Sequence, residues 1–277
     1  MTGSKPPSSP PSEPRVREPA VAGTFYPDDP AELRRMIESF LREAKPSHRH
    51  ARMLVSPHAG YVFSGPVAAY GYACVPAAID RAIVLGPSHH AWFTGLALPD
   101  AGVYRTPLGD VPLDQAAVAE LLGSSLVHAL PQADEQEHSV EVQVPFLQVR
   151  LDEFTIVPIV VGKIAASQAA EVLLPLVTPT TVVVASSDFS HYQPHEQARA
   201  IDARSVQTIL SGNADGFLDA CGELPVRIVM LMAKKLGLCA VLLDQRTSFD
   251  TAPTLGRKSR VVGYASIAFV AAGGGDS

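Results

Sequence analysis

Four stretches of the chain are β-branched and almost wholly apolar: ARMLVS (51–56), RAIVLG (81–86), FTIVPIVVG (154–162) and TTVVVASS (180–187). Runs of this length with no polar face fit strands buried on both sides, as in a sheet covered by helices. Between and around them lie segments of helical character: GPVAAYGYACV (65–75), LDQAAVAELLG (113–123), HSVEVQVPFLQVRL (138–151) and SQAAEVLLPLV (167–177). The segment DDPAELRRMIESFLREA (28–44) is the clearest amphipathic helix: Leu33, Ile37, Phe40 and Leu41 form one stripe with charges opposite. Asp28 or Asp29 supplies its cap and Pro30 suits its first turn. LALPDAGVYRTPLGDVPL (96–113) reads as antiparallel strands with turns. Beyond Ser190 the pattern gives helices over 195–210, 214–221 and 227–237, then strands over 239–250 and 260–272. Alternating strands and helices predict a single-domain α/β/α sandwich with a mixed, mainly parallel central sheet.

Polar chemistry enters where the buried runs stop. Three of them end in histidine-bearing turns: LVS-PHAGY with His58, VLG-PSHH with His89 and His90, and VVASS-DFSHY with Asp188 and His191. In open α/β sheets ligands bind outside the carboxyl ends of the strands, so parallel neighbours would gather these side chains at one rim. His90 is the weaker of its pair, because adjacent residues on an extended chain point apart. A fourth cluster, DEQEHSVEVQVPF (134–146), places His138 and Glu141 at i,i+3, on one face if the segment is helical. Such a pair binds a metal or orients the ligands of one. Nothing around His48, His50, His128 and His195 sets them apart from surface or tail positions.

Composition narrows the classes. The 277 residues carry a net charge of -6, which argues against a nucleic-acid partner. No apolar run reaches the roughly 18 residues of a membrane helix. The Pro/Ser-rich start, residues 1–14, predicts a disordered tail ahead of one domain over 15–277. It has no apolar core of a signal peptide, so a cytoplasmic location is the expectation. The three cysteines, Cys74, Cys221 and Cys239, form no disulfide framework. Cys74 and Cys239 read as small buried fillers. Cys221, in a turn before Gly222, is the one expected to face a cavity.

The motifs AGTFYP, SPHAGYVFSGPVAA, LGPSHH, YRTPLG, DEQEHSVEVQVPFLQ and SSDFSHY resemble those of the Memo-like family, whose bacterial and archaeal members are called AmmeMemoRadiSam system protein B. The resemblance runs from about Arg17 to the C-terminus. It implies a fold like that of the class III extradiol dioxygenases. It also implies a metal site at His58, His89 and Cys221, with Asp188 and His191 lining the same pocket and His138 and Glu141 near it. Fe(II) or copper is the implied ion, with zinc as a further candidate. The family name links it to a radical-SAM protein and a third partner. Three functions follow: a redox-type metal protein, a hydrolase with Cys221 as nucleophile, a histidine as base and Asp188 as orienter, or a binding module for a peptide or other ligand without a reaction. The chain has no G-x-S-x-G elbow for a serine nucleophile.

Overall fold

The computed structural model describes residues 15–45 and 50–272. The expected tail over 1–14 and His48 fall outside them. In chain order the first half holds β1 (Val16–Arg17), α1 (Pro30–Glu43), β2 (Met53–Ser56), α2 (Tyr61–Ala73), β3 (Arg81–Pro87), β4 (Leu96–Leu98), β5 (Val103–Thr106), β6 (Gly109–Pro112), α3 (Gln115–Leu122) and β7 (Val127–Ala129). Then come α4 (Pro131–Asp134), α5 (Val144–Arg150), β8 (Thr155–Val161), α6 (Ala166–Leu173), β9 (Thr181–Ser186) and β10 (His191–Gln193). The chain closes with α7 (His195–Leu210), α8 (Glu223–Lys235), β11 (Leu238–Thr247), α9 (Ser248–Thr251) and β12 (Val261–Ala271).

The main sheet runs β10-β12-β2-β9-β3-β8-β4-β7, with β11 also paired to β12. Its centre, β2-β9-β3-β8, is parallel throughout. Strands β12 and β4 join that centre antiparallel, so the sheet is mixed. Every residue of β2 and β9 is buried, which requires cover on both faces. Helices α1, α2 and α5 pack together as one group, and α8 with α6 forms another, with α8 lying on β2, β3 and β9. The protein is thus a mixed α/β structure. None of the described helices is long and apolar enough to cross a membrane.

Local signals explain most of the elements. Asp29 caps α1 by accepting from the Glu32 N–H, and Leu33 and Ile37 are its buried stripe. The antiparallel strands expected over 96–113 are present, with β4 antiparallel to β8 in the main sheet and the β5–β6 hairpin in a small sheet with β1. Three expectations need correction. The stretch 138–151 is not one helix: a turn and a 3₁₀ segment, Glu141–Gln143, precede α5, whose start accommodates Pro145. The segment 214–221 forms turns and extended chain rather than a helix. The strand expected to run to Asp250 ends at Thr247, where a capping box starts α9.

Two single residues also depart from expectation. Cys239 is exposed, on a strand whose outer edge has no neighbour among the described residues. His195 is buried, with its Nε2 2.8 Å from Asp250 Oδ1 and its Nδ1 3.1 Å from Glu196 Oε1. The Asp250 carboxylate is brought to it by the fold, and nothing in its sequence neighbourhood announces that contact.

Candidate metal centre

Strands β2, β9 and β3 are consecutive neighbours, so the turns after Ser56, Ser186 and Pro87 leave the sheet side by side. The rim rule therefore holds for His58 and His89, whose rings approach to 5.3 Å between centroids. His138 comes from a different part of the chain and completes a cluster. Its ring stacks on His89 at 4.6 Å and meets the edge of His58 at 5.5 Å. One donor atom from each of His58, His89 and His138 lies within 4.8 Å of the others. Phe25, from the turn after β1, closes on His138 at 4.8 Å.

Two glycines permit this convergence. A Cβ on Gly86 would fall 2.2 Å from Ser139 Oγ, so a side chain there would push the 137–140 loop off β3. A Cβ on Gly222 would fall 2.4 Å from Ser186 O, so the loop bearing Cys221 could not lie against the end of β9. Gly222 N–H instead donates to Ser187 Oγ at 2.9 Å.

The hydrogen bonds fix which nitrogen of His58 faces the site. Ser186 Oγ donates to Ser139 O at 2.5 Å and accepts from Gln143 Nε2 at 2.8 Å. Its single proton is therefore committed, and its contact with His58 Nδ1 at 3.0 Å has Nδ1–H as donor. The Nε2 of His58 keeps its lone pair. His89 is arranged likewise by Glu137, whose Oε1 lies 2.8 Å from Nδ1 and whose Oε2 accepts the His89 N–H at 2.6 Å. Burial alone would raise the Glu137 pKa, but hydrogen bonds and charge from His89 overcome this and hold it down at about 2. A carboxylate offers only acceptors, so His89 Nδ1 carries a proton, and in the uncharged ring Nε2 is the free nitrogen. Neither Ser186 nor Glu137 was singled out from sequence. A serine closing an apolar run is a weak signal, and the Glu137 contact with His89 exists only in three dimensions.

Burial, reinforced by His138 and His89, pushes His58 well below the usual imidazole value. His138 is lowered to about 4 by burial, partly opposed by Glu137. Uncharged imidazoles with free lone pairs are what a transition-metal site requires, so this donor set fits one. One side is open: 30% of the His89 side chain and 18% of that of His138 remain exposed.

The other expected residues divide. Cys221 Sγ lies 3.1 Å from His58 Nε2, at the edge of the cluster but outside the group of three. Burial, then the nearby Asp188, pushes its thiol up to about 12. Asp188 Oδ1 accepts the backbone N–H groups of His58 at 2.8 Å and Ala59 at 3.3 Å, tying down the turn that carries the first histidine. Burial raises Asp188 to about 7, against those two bonds. His191, lowered by burial, lies close enough to His58 and His89 for mutual charge repulsion. His90 is exposed, with its ring 6.4 Å from that of His138.

Glu141 does not share a face with His138. It is fully buried and takes Arg17, the N–H groups of Ala20 and Val21, and the Tyr26 hydroxyl as partners. The turn between His138 and the 3₁₀ segment breaks the i,i+3 geometry, and Glu141 anchors the 17–26 strap instead.

A mixed α/β sheet with a histidine cluster at the carboxyl ends of its parallel strands defines a class of protein able to hold a metal ion. Comparison with known families narrows this further: residues 17–268 match the family described as Memo-like protein, and the chain belongs to that family. Among its relatives, a MEMO1 family protein of Sulfolobus acidocaldarius is 38% identical over 284 aligned positions, covering 92% of this chain and 99% of the relative. One from Ignicoccus hospitalis is also 38% identical, covering 92% of this chain and 98% of its own. A third, from Methanosarcina mazei, is 36% identical over 91% of this chain and 98% of its own.

Proposed function

We propose that this protein binds one redox-active transition-metal ion, iron or copper with zinc as the competing ion, at His58 and His89 with Cys221 and His138 at the remaining positions. The observation that carries this reading is that His58, His89 and His138 each bring a donor atom into one cluster, while Ser186 and Glu137 occupy Nδ1 of His58 and His89 and leave Nε2 as the unprotonated nitrogen. Imidazole suits iron, copper and zinc alike, and a thiolate draws softer ions. Two donors on one tetrahedral ion, one nitrogen and one sulfur, sit about 3.6 Å apart. The 3.1 Å between Cys221 Sγ and His58 Nε2 is near that separation, which supports Cys221 as a ligand. When bound, iron or copper would supply one-electron chemistry toward a substrate entering from the open side.

The remaining residues have distinct tasks. Asp188 holds the His58 turn and carries a carboxyl whose pKa of about 7 suits it to give or take a proton near neutrality. His191 stands beside the cluster as a second proton-handling group. A likeness to class III extradiol dioxygenases is part of the same proposal, supported by the parallel centre of the sheet and the rim position of the histidines. Those enzymes hold non-haem iron by two histidines and one glutamate, and a thiolate in place of the carboxylate changes the charge distribution at the metal and argues against catechol cleavage.

One observation favours a second reading. Cys221 and His58 have the spacing of a nucleophile and its base. Against it, the thiol is raised to about 12 while His58 is lowered, so proton transfer between them is uphill. The deciding experiment is metal analysis of protein purified anaerobically without a metal-binding tag, together with His58→Ala and His89→Ala. Stoichiometric metal that both substitutions abolish supports the proposal. Metal-free protein with chelator-resistant, alkylation-sensitive hydrolysis of a thioester supports the hydrolase.

A further inference from the structure

The carboxylate of Glu137 has no exposure and no place in the donor cluster, yet more of the site's hydrogen bonds end on it than on any ligand candidate. Oε2 accepts the His89 N–H at 2.6 Å, and Oε1 lies 2.8 Å from His89 Nδ1 and accepts the Ser139 N–H at 2.9 Å. The same Oε1 is 3.5 Å from Nδ1 of His138. One carboxylate therefore grips His89 by backbone and ring together and faces the ring stacked upon it.

We infer that Glu137 is the positioning residue of this site: it fixes the tautomer of His89 and aligns the His89–His138 pair. This rests on the metal reading above. Two features make the role specific to a carboxylate. First, everything that meets Glu137 at close range is a donor, so both oxygens must accept. Second, the grip on the His89 backbone N–H sets the position of the whole residue, while the grip on Nδ1 sets the rotation of its ring. With the proton on Nδ1, Nε2 keeps the lone pair that a metal would take.

Glutamine shows what the charge and the second acceptor do. Its amide has one acceptor oxygen for two sides that both donate. With that oxygen toward Nδ1, the NH₂ group confronts the His89 N–H. With the amide reversed, NH₂ confronts Nδ1 and the Ser139 N–H. His89 relieves the ring half of the second clash by moving its proton to Nε2, which removes the lone pair offered to a metal. A wrong-tautomer histidine of this kind keeps the fold and loses the chemistry. Loss of such an orienting partner typically costs about 10- to 100-fold in metal affinity.

The test uses ¹⁵N-labelled full-length protein in the metal-free state, with histidine tautomers read from long-range nitrogen–proton correlations. Wild type is expected to show His89 as the Nδ1–H form. Glu137→Gln is expected to shift it toward Nε2–H, leave His58 unchanged on Ser186, and lower zinc and cobalt affinity by about 10- to 100-fold. Glu135→Gln, at an exposed neighbour, is expected to change neither. An Nε2–H His89 in wild type overturns the inference, and so does Glu137→Gln with unchanged tautomer and affinity. If Glu137→Gln fails to fold, the wild-type tautomer decides alone. Wild type that binds no zinc or cobalt overturns the metal reading and this inference with it. Wild type that binds while Glu137→Gln binds equally overturns this inference only.

Discussion

The sulfur of Cys221 lies 3.1 Å from Nε2 of His58, although 163 residues separate them in sequence. The approach depends on Gly222, which lets the Cys221 loop rest against the end of β9. Without a metal, the thiol raised to about 12 keeps its proton. Ligation by Cys221 must then release that proton. His58 and His138 are lowered and already neutral, so they release none above pH 7. Apparent metal affinity is therefore expected to rise about tenfold per pH unit between pH 7.5 and 9, and to be nearly flat in Cys221→Ser. Competition titrations with a chromophoric chelator read this directly. A flat wild-type profile removes Cys221 from the ligand set and leaves His138 as the third donor.

Ser186 supports His58 as an acceptor with its own proton already committed. Ser186→Ala should lower zinc affinity about tenfold by freeing the His58 ring. It should also cost about 1–3 kcal/mol of stability, because Ser139 O and Gln143 Nε2 each lose a buried partner. Chemical denaturation and metal titration on the same preparation separate the two effects. Unchanged affinity with reduced stability would make Ser186 a packing residue alone.

Glu141 should behave in the opposite way. Its substitution by Ala leaves Arg17 buried with Asp134 as its one remaining carboxylate partner and unties the strap over residues 17–26. Breaking a buried pair from one side costs about 3–5 kcal/mol. The expected result is a large loss of stability in urea, with zinc affinity falling far less than in His58→Ala. A variant as stable as wild type but metal-free would return Glu141 to the site.

Asp202 gives a pH-dependent prediction away from the metal ligands. Burial raises it from 3.8 to about 6, while Ser190 N–H donates to its Oδ1. The folded state thus holds this proton more tightly than the unfolded state does. The associated stability is fully present below pH 3.8 and is lost as pH rises through about 6. Asp202→Asn lacks that loss, so it should gain on wild type by about 1–3 kcal/mol between pH 4 and 7. Urea denaturation across that range checks the sign. A difference independent of pH would show that Asp202 titrates alike in both states.

Much of this protein was determined by sequence alone, because some information is carried by local pattern. Apolar runs such as TTVVVASS can be buried only on both faces, which gave the covered strands. Asp29 before Pro30 set the start of α1 because capping is satisfied within one turn. The His58 and His89 turns were legible because each follows such a run, and strands of a parallel sheet deliver their ends to one rim. Tertiary structure decided the rest. The order β2-β9-β3 depends on which strands pair across 100 residues in one case and 130 in the other, as in Arg81 with Thr181 and Met53 with Val183. His138 joins the cluster, and Glu141 leaves it, because a turn replaces the helix that would have put them on one face. Glu137 finds His89 48 residues away only because Gly86 lets the loop approach β3. A hydrogen bond between distant residues leaves no periodicity in the chain, so the partners that orient the histidines could be read only after folding brought them together.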